Sequence, residues 1–143
     1  MNIKKLNTKI QNSTSQGKLN NIRVIPFDFF DLFRKQKLKV STQNIVYFIE
    51  IDDILYLKAE GNYCKIYLQD NRQILTSKTL KYYSKQLTNK PFIRVHNSYF
   101  INIMKVAGIK KGIDSCIILS DQTEIPISRS YKESICQELI GNC

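Results

Sequence analysis

The feature that most constrains this chain is a series of period-two segments separated by turn residues at close intervals. Residues 63–68, YCKIYL, alternate polar and apolar side chains; Asp70 and Asn71 follow, and RQILT at 72–76 returns. Successive strand side chains point to opposite faces, so this pair is expected to close as a hairpin with one buried face. IVYFIEI at 45–51 and ILYLKA at 54–59 precede it, rich in β-branched and aromatic residues and divided by Asp52 and Asp53. Glu60, Gly61 and Asn62 then supply a turn.

The pattern changes once and then resumes. Leu80, Tyr83 and Leu87 recur at helical spacing, with Ser77 or Thr79 available as a cap and Asn89, Lys90 and Pro91 as a stop. Extended stretches follow at 92–95, 99–103, 106–109, 115–119 and 123–127. Ser130 and Glu133 stand three apart, the spacing of a capping box, which predicts a final helix over 131–140. The reading is a mostly β, α+β fold with two short helices.

Charge divides the chain. Its 143 residues carry a formal net charge of +10, enough length for one domain with a real core. Residues 1–41 hold nine Lys and Arg against two Asp, whereas 42–143 hold thirteen basic and ten acidic residues. The excess therefore belongs to a basic N-terminal arm over 1–41, ahead of a domain over 42–143. An anionic partner is expected, nucleic acid ahead of an anionic membrane surface. Within the arm, 22–37 (IRVIPFDFFDLFRKQK) reads as a short helix on which Phe29, Phe30 and Phe33 share a face. Such a helix would pack on the domain, on a second copy or partner protein, or on a lipid surface.

Catalysis finds little support. There is no GxSxG, P-loop, strand-linked GxGxxG or HExxH. Cys64, Cys116, Cys136 and Cys143 lack paired spacing and have one histidine, His96, for company, so no metal or other cofactor is expected, nor a small-molecule substrate. With no secretory signal and no apolar run of membrane-spanning length, the expected setting is cytoplasmic, with reduced thiols.

Polar residues that interrupt strand-forming runs are the candidates for a binding site. Residues 92–102, FIRVHNSYFIN, place Arg94, His96, Asn97 and Ser98 in an apolar stretch. Such groups either satisfy buried backbone or contact something outside. Arg129, between Ser128 and Ser130, precedes the final helix, where free N–H groups and a guanidinium suit a phosphate or a guanine. Asn62 and Tyr63 stand at a hairpin tip.

Together, ILYLKAEGNYCKIYL, the helix around Leu80, FIRVHNSYFIN and TEIPISRSYKESI resemble a LytTR-family DNA-binding domain over residues 45–139. The resemblance implies an elongated stack of small antiparallel sheets in a bacterial transcription regulator of response-regulator type. Loops would enter successive major grooves at paired promoter repeats, two copies to an operator. Base contacts would fall on Tyr63, Asn97 and Arg129. For each the residue chemistry leaves an alternative: sheet packing for Tyr63, an Asx turn for Asn97, a helix cap or ion pair for Arg129. Asn62, Lys65, Arg94, His96, Ser98, Lys105, Lys110, Lys111, Ser128 and Ser130 would contact the DNA backbone or organise the loops. His96 reads more as an organiser than as a base reader, and Arg94 can equally pair with an acid. Forty-one residues cannot hold a receiver domain, so the expectation is a stand-alone regulator whose arm adds phosphate contacts. The alternative is an interaction module docked through 22–37, with weak DNA binding.

Overall fold

The computed structural model describes residues 36–141. Residues 22–35 of the aromatic segment at 22–37, and most of the basic arm, lie outside the described residues. A five-stranded antiparallel sheet forms the centre, in the order β5-β4-β3-β7-β6. Its strands are β3 (Ile54–Glu60), β4 (Tyr63–Leu68), β5 (Gln73–Leu75), β6 (Phe92–His96) and β7 (Tyr99–Asn102).

Alternation along these strands gives the sheet two apolar faces. Cys64, Ile66 and Leu68 of β4 join Leu57 of β3, Ile74 of β5 and Phe100 of β7 in a first buried cluster. Ile101 of β7 and Val95 of β6 point the other way, into a second cluster. In β3 a register irregularity between Ile54 and Tyr56 lets Ile54 join the first cluster while Leu55 and Tyr56 both enter the second. One bulged residue thus allows both faces to be filled from the same strand.

The first face is covered by a two-stranded sheet, β1 (Lys37–Ser41) and β2 (Val46–Glu50), and by helix α1 (Leu80–Gln86). Thr79 is the cap of α1, its hydroxyl accepting from the Tyr82 N–H at 3.2 Å, and Leu80, Tyr83 and Leu87 are buried beneath it. Ser77 instead ties the chain to β1 through the Ser41 carbonyl. Strand β1 differs from the sequence reading, which ended the arm at residue 41. Leu38 and Val40 bury between outward-facing Lys37 and Lys39, so the lysines that made the segment look like arm form the solvent face of a strand.

The second face is covered by a three-stranded sheet, β8 (Val106–Lys110), β9 (Cys116–Leu119) and β10 (Glu124–Pro126), together with the C-terminal helical segment. A 3-10 turn over Arg129–Tyr131 leads into α2 (Lys132–Ile135), which continues as a π-turn over Cys136–Ile140. Gly141 closes it at φ 89°, donating to the Cys136 carbonyl at 2.9 Å.

The expected capping box does not form. Ser130 lies inside the 3-10 turn and its hydroxyl meets that of Ser128 at 3.3 Å, while Tyr131 precedes α2 without a side-chain cap. The Ser128 N–H is already committed to the Val95 carbonyl at 3.0 Å. That bond pins the segment to β6 and leaves Ser130 inside the turn rather than at the helix cap. Cys64 and Cys116 are free thiols, whereas Cys136 is disulfide-bonded, a departure from the expected reduced set. No helix among the described residues is long and apolar enough to cross a membrane.

Candidate nucleic-acid interface

Strands β6 and β7 are joined by a two-residue turn, Asn97 and Ser98, with His96 opposite Tyr99. Side chains from within the same run hold this turn. The Arg94 guanidinium donates from Nε to the His96 carbonyl at 3.0 Å and from Nη2 to the Asn97 carbonyl at 2.8 Å. The Ser98 N–H donates to Nδ1 of His96 at 3.0 Å, which requires that nitrogen to be unprotonated and puts the ring proton on Nε2. The Ser98 carbonyl accepts from the Ala59 N–H of β3 at 2.9 Å. Among the described residues Arg94 pairs with no carboxylate; two of its donors hold main-chain carbonyls of the turn. The last motif residue, Asn102, is 2% exposed and clamps Ile54 O through Nδ2 while Oδ1 accepts from the Met104 N–H.

What the turn presents outward is Asn97. It is exposed, and among the described residues no Asx bond holds its side chain. Its Oδ1 instead accepts from the Tyr131 hydroxyl at 3.3 Å, a contact across 34 residues of sequence. Together with the bond from Ser128 N–H to Val95 O, this brings the 128–131 segment against the β6–β7 turn. Arg129 is exposed there and among the described residues makes neither an ion pair nor a cap. Its five donors are available to a ligand.

The β3–β4 hairpin ends at the same edge, because Lys58 of β3 lies opposite Tyr99 of β7. Its turn needs glycine: Gly61 stands at φ 61°, the positive value that a II′ hairpin turn demands at its first central position. Asn62 and Tyr63 are both exposed, Tyr63 by 51%, and Tyr63 belongs to neither apolar cluster, so sheet packing does not account for it. Lys58 and Lys65 face each other across β3 and β4. Two like charges directly opposite repel, which an anion between them would relieve. Glu60 lies 3.6 Å from Lys58, and the Lys58 ammonium sits 5.8 Å from the Tyr99 ring centre. Tyr99 first, and Glu60 with it, hold the Lys58 pKa above its usual value against the effect of burial.

Tyr63, Asn97 and Arg129 therefore lie along one end of the central sheet, with Asn62, Lys65, Arg94, His96, Ser98, Ser128 and Ser130 around them. The remaining lysines do not all follow. Lys110 and Lys111 flank the groove beside α2, where Ile127 and Lys132 also lie, and Lys110 is 3.7 Å from Glu124. Lys105 follows the far end of β7, with its carbonyl accepting from the Ser120 N–H, and stands away from the turn. Sequence reasoning passed over Tyr131, which bridges the two principal segments; its only signal was an aromatic directly after Ser128, Arg129 and Ser130. Among the described residues no group of His, Cys, Asp and Glu converges as a metal site.

The chain is thus a two-faced antiparallel β fold that gathers three polar loop segments at one end of its central sheet. Residues 33–140 match the family model of the LytTr DNA-binding domain, and the chain belongs to that family. Sensory transduction protein LytT of Bacillus subtilis (strain 168) is 26% identical over 129 residues, covering 89% of this chain and 53% of its own length. LytT of Oceanobacillus iheyensis is 28% identical over 109 residues, covering 73% of this chain and 44% of its own. The chain thus spans about half the length of these curated relatives. A solved LytTr DNA-binding domain from Bacillus cereus superposes with a TM-score of 0.64 over 76% of this chain and 99% of that one. Its identity is 18%, and the likeness is one of fold.

Proposed function

We propose that this chain regulates transcription by binding duplex promoter DNA in a sequence-dependent way, through loops rather than a recognition helix. One observation carries the reading: Asn97 and Arg129 stand exposed at one edge, on segments joined to each other and braced from within. Arg129 has the fork that matches guanine O6 and N7, and Asn97 the amide that matches an adenine edge. Tyr63 adds an exposed ring and hydroxyl to touch a thymine methyl or a phosphate. Lys58 and Lys65 provide charge beside it for the DNA backbone.

In this reading Arg94 and His96 act on the turn rather than on a base. Lys105 drops to a solvated lysine, while Lys110 and Lys111 remain phosphate contacts on the α2 side. The described domain carries only part of the positive charge, so the lysines at 1–21 would add affinity without adding sequence preference. Two copies at paired sites, and dimerisation or partner binding through 22–37, belong to the proposal as well.

Selection from random duplex DNA at about 150 mM salt, with wild type and Arg129→Ala side by side, tests it. The expected result is a repeated motif about one helical turn apart. Arg129→Ala should lose one base position, at a cost of about 1–3 kcal/mol. Equal losses on selected and random DNA would reduce Arg129 to a phosphate contact. Salt-sensitive binding without any motif would overturn the reading.

A further inference from the structure

The hydrogen bond between Tyr131 and Asn97 bears on which base the turn can read. The Asn97 main chain is immobilised on both sides: its carbonyl by Arg94 Nη2, and the neighbouring Ser98 by His96 Nδ1 and the Ala59 N–H. Only the side-chain torsions remain free. An unrestrained amide there would present its oxygen or its NH2 group to DNA with similar ease, accepting from one base and donating to another. Tyr131 weights that choice towards the orientation with Oδ1 inward. Its hydroxyl donates to Oδ1, and Tyr131 is itself fixed, its N–H on the Ser128 carbonyl at 3.0 Å and its ring half-buried against the second cluster.

We propose that Tyr131 is a positioning residue that orients the Asn97 amide, so that Nδ2 faces the DNA and Asn97 selects a base edge carrying an acceptor. In the major groove guanine offers N7 and O6, adenine N7 and thymine O4, whereas cytosine offers only the N4 donor. Adenine stays compatible, because Oδ1 keeps a second lone pair for N6–H. Cytosine is the base disfavoured: its N4 donor can meet only that lone pair, and Nδ2 is left without an acceptor. The inference rests on the DNA-reading function proposed above and goes beyond it, since it assigns a class of base to one residue and the control of that choice to another.

The test is the base-preference profile of the full chain as wild type, Asn97→Ala, Tyr131→Phe and Asn97→Asp, with thermal midpoints measured for each. Asn97→Ala identifies the position that Asn97 reads, as the one whose preference it flattens. Wild type should disfavour cytosine there. Tyr131→Phe keeps the ring and its packing but frees the amide. It should narrow the bias against cytosine about 2- to 10-fold, the worth of one hydrogen bond, with other positions and the midpoint unchanged. Asn97→Asp presents acceptors only and should turn the preference towards cytosine. A Tyr131→Phe profile identical to wild type, or a wild-type requirement for cytosine at that position, overturns the inference and leaves the DNA-reading function standing. Absence of any motif in wild type removes both.

Discussion

The two faces of the central sheet are built differently, and the candidate site hangs from the less complete one. Among the described residues the first cluster contains fourteen buried side chains with three partly buried neighbours, and β1, β2 and α1 cover it. The second, among the same described residues, contains eight buried side chains with eight partly buried neighbours, among them Tyr99, Ile127 and Tyr131. These half-buried side chains flank the residues that face outward: Tyr99 follows Ser98, Ile127 precedes Ser128, and Tyr131 reaches Asn97. The first face thus holds the fold together. The second serves as a platform whose rim can be altered without collapsing the core.

The largest effect should come from the first face. Ile66→Ala, at a fully buried position, should lower unfolding free energy by about 2–5 kcal/mol, read from denaturant midpoints. Ile127→Ala on the rim should cost about 1 kcal/mol yet impair DNA binding more than Ile66→Ala does at temperatures where both fold. Equal stability losses would abolish the contrast.

Arg94→Met keeps the aliphatic stem and removes the donors that hold two carbonyls of the turn. It should cost about 1.5–3 kcal/mol of stability, the range for hydrogen bonds to a charged group, and weaken binding further by releasing Asn97. Binding at wild-type strength would mean that the turn needs no internal brace. Gly61→Ala meets no neighbouring atom within 4 Å, so its expected cost of about 1–2 kcal/mol is backbone strain at positive φ. That loss should appear in thermal unfolding together with poorer placement of Tyr63.

The smallest effect at neutral pH concerns Cys64, on the first face. Burial pushes its thiol from the usual 9.0 up to about 12, against opposing contributions from Lys58 and Arg94. The folded protein therefore holds this proton more tightly than the unfolded chain, and its contribution is complete below about pH 9 and falls as pH rises towards 12. Unfolding midpoints at pH 7, 9 and 10.5 should decline more steeply in wild type than in Cys64→Ala. Parallel declines would show that Cys64 does not contribute to alkaline sensitivity.

The central hairpin and α1 were readable from sequence because local signals and burial agree there: YCKIYL alternates, and Thr79, Leu80, Tyr83 and Leu87 carry cap and face together. Strand β1 was hidden because its alternating Lys37, Leu38, Lys39 and Val40 lie next to a lysine-rich tract, and charge outweighed period. The capping box misled because the Ser128 N–H finds a partner 33 residues away in Val95, a tertiary bond that no local pattern announces. The site divides in the same way. Arg129, Asn97 and Tyr63 interrupt apolar runs and so stood out. Whether Arg94 pairs with an acid or braces a turn depends on the bulge between Arg94 and His96, and Tyr131 becomes part of the site only through a long-range contact. Lys105 looked equivalent to the other lysines because sequence does not say at which end of a strand a loop will fall.

The proposed function requires one end of the central sheet, and not the molecule's general basicity, to meet DNA. Amide chemical-shift mapping of the full chain with its selected duplex, at about 150 mM salt to suppress non-specific contacts, measures this directly. Shifts concentrated at 60–65, 94–99 and 127–132, with Lys105 and the 52–54 and 69–72 loops unmoved, are the predicted result. A footprint centred on β1, β2 and α1, or on the Lys105 end of the sheet, would contradict it.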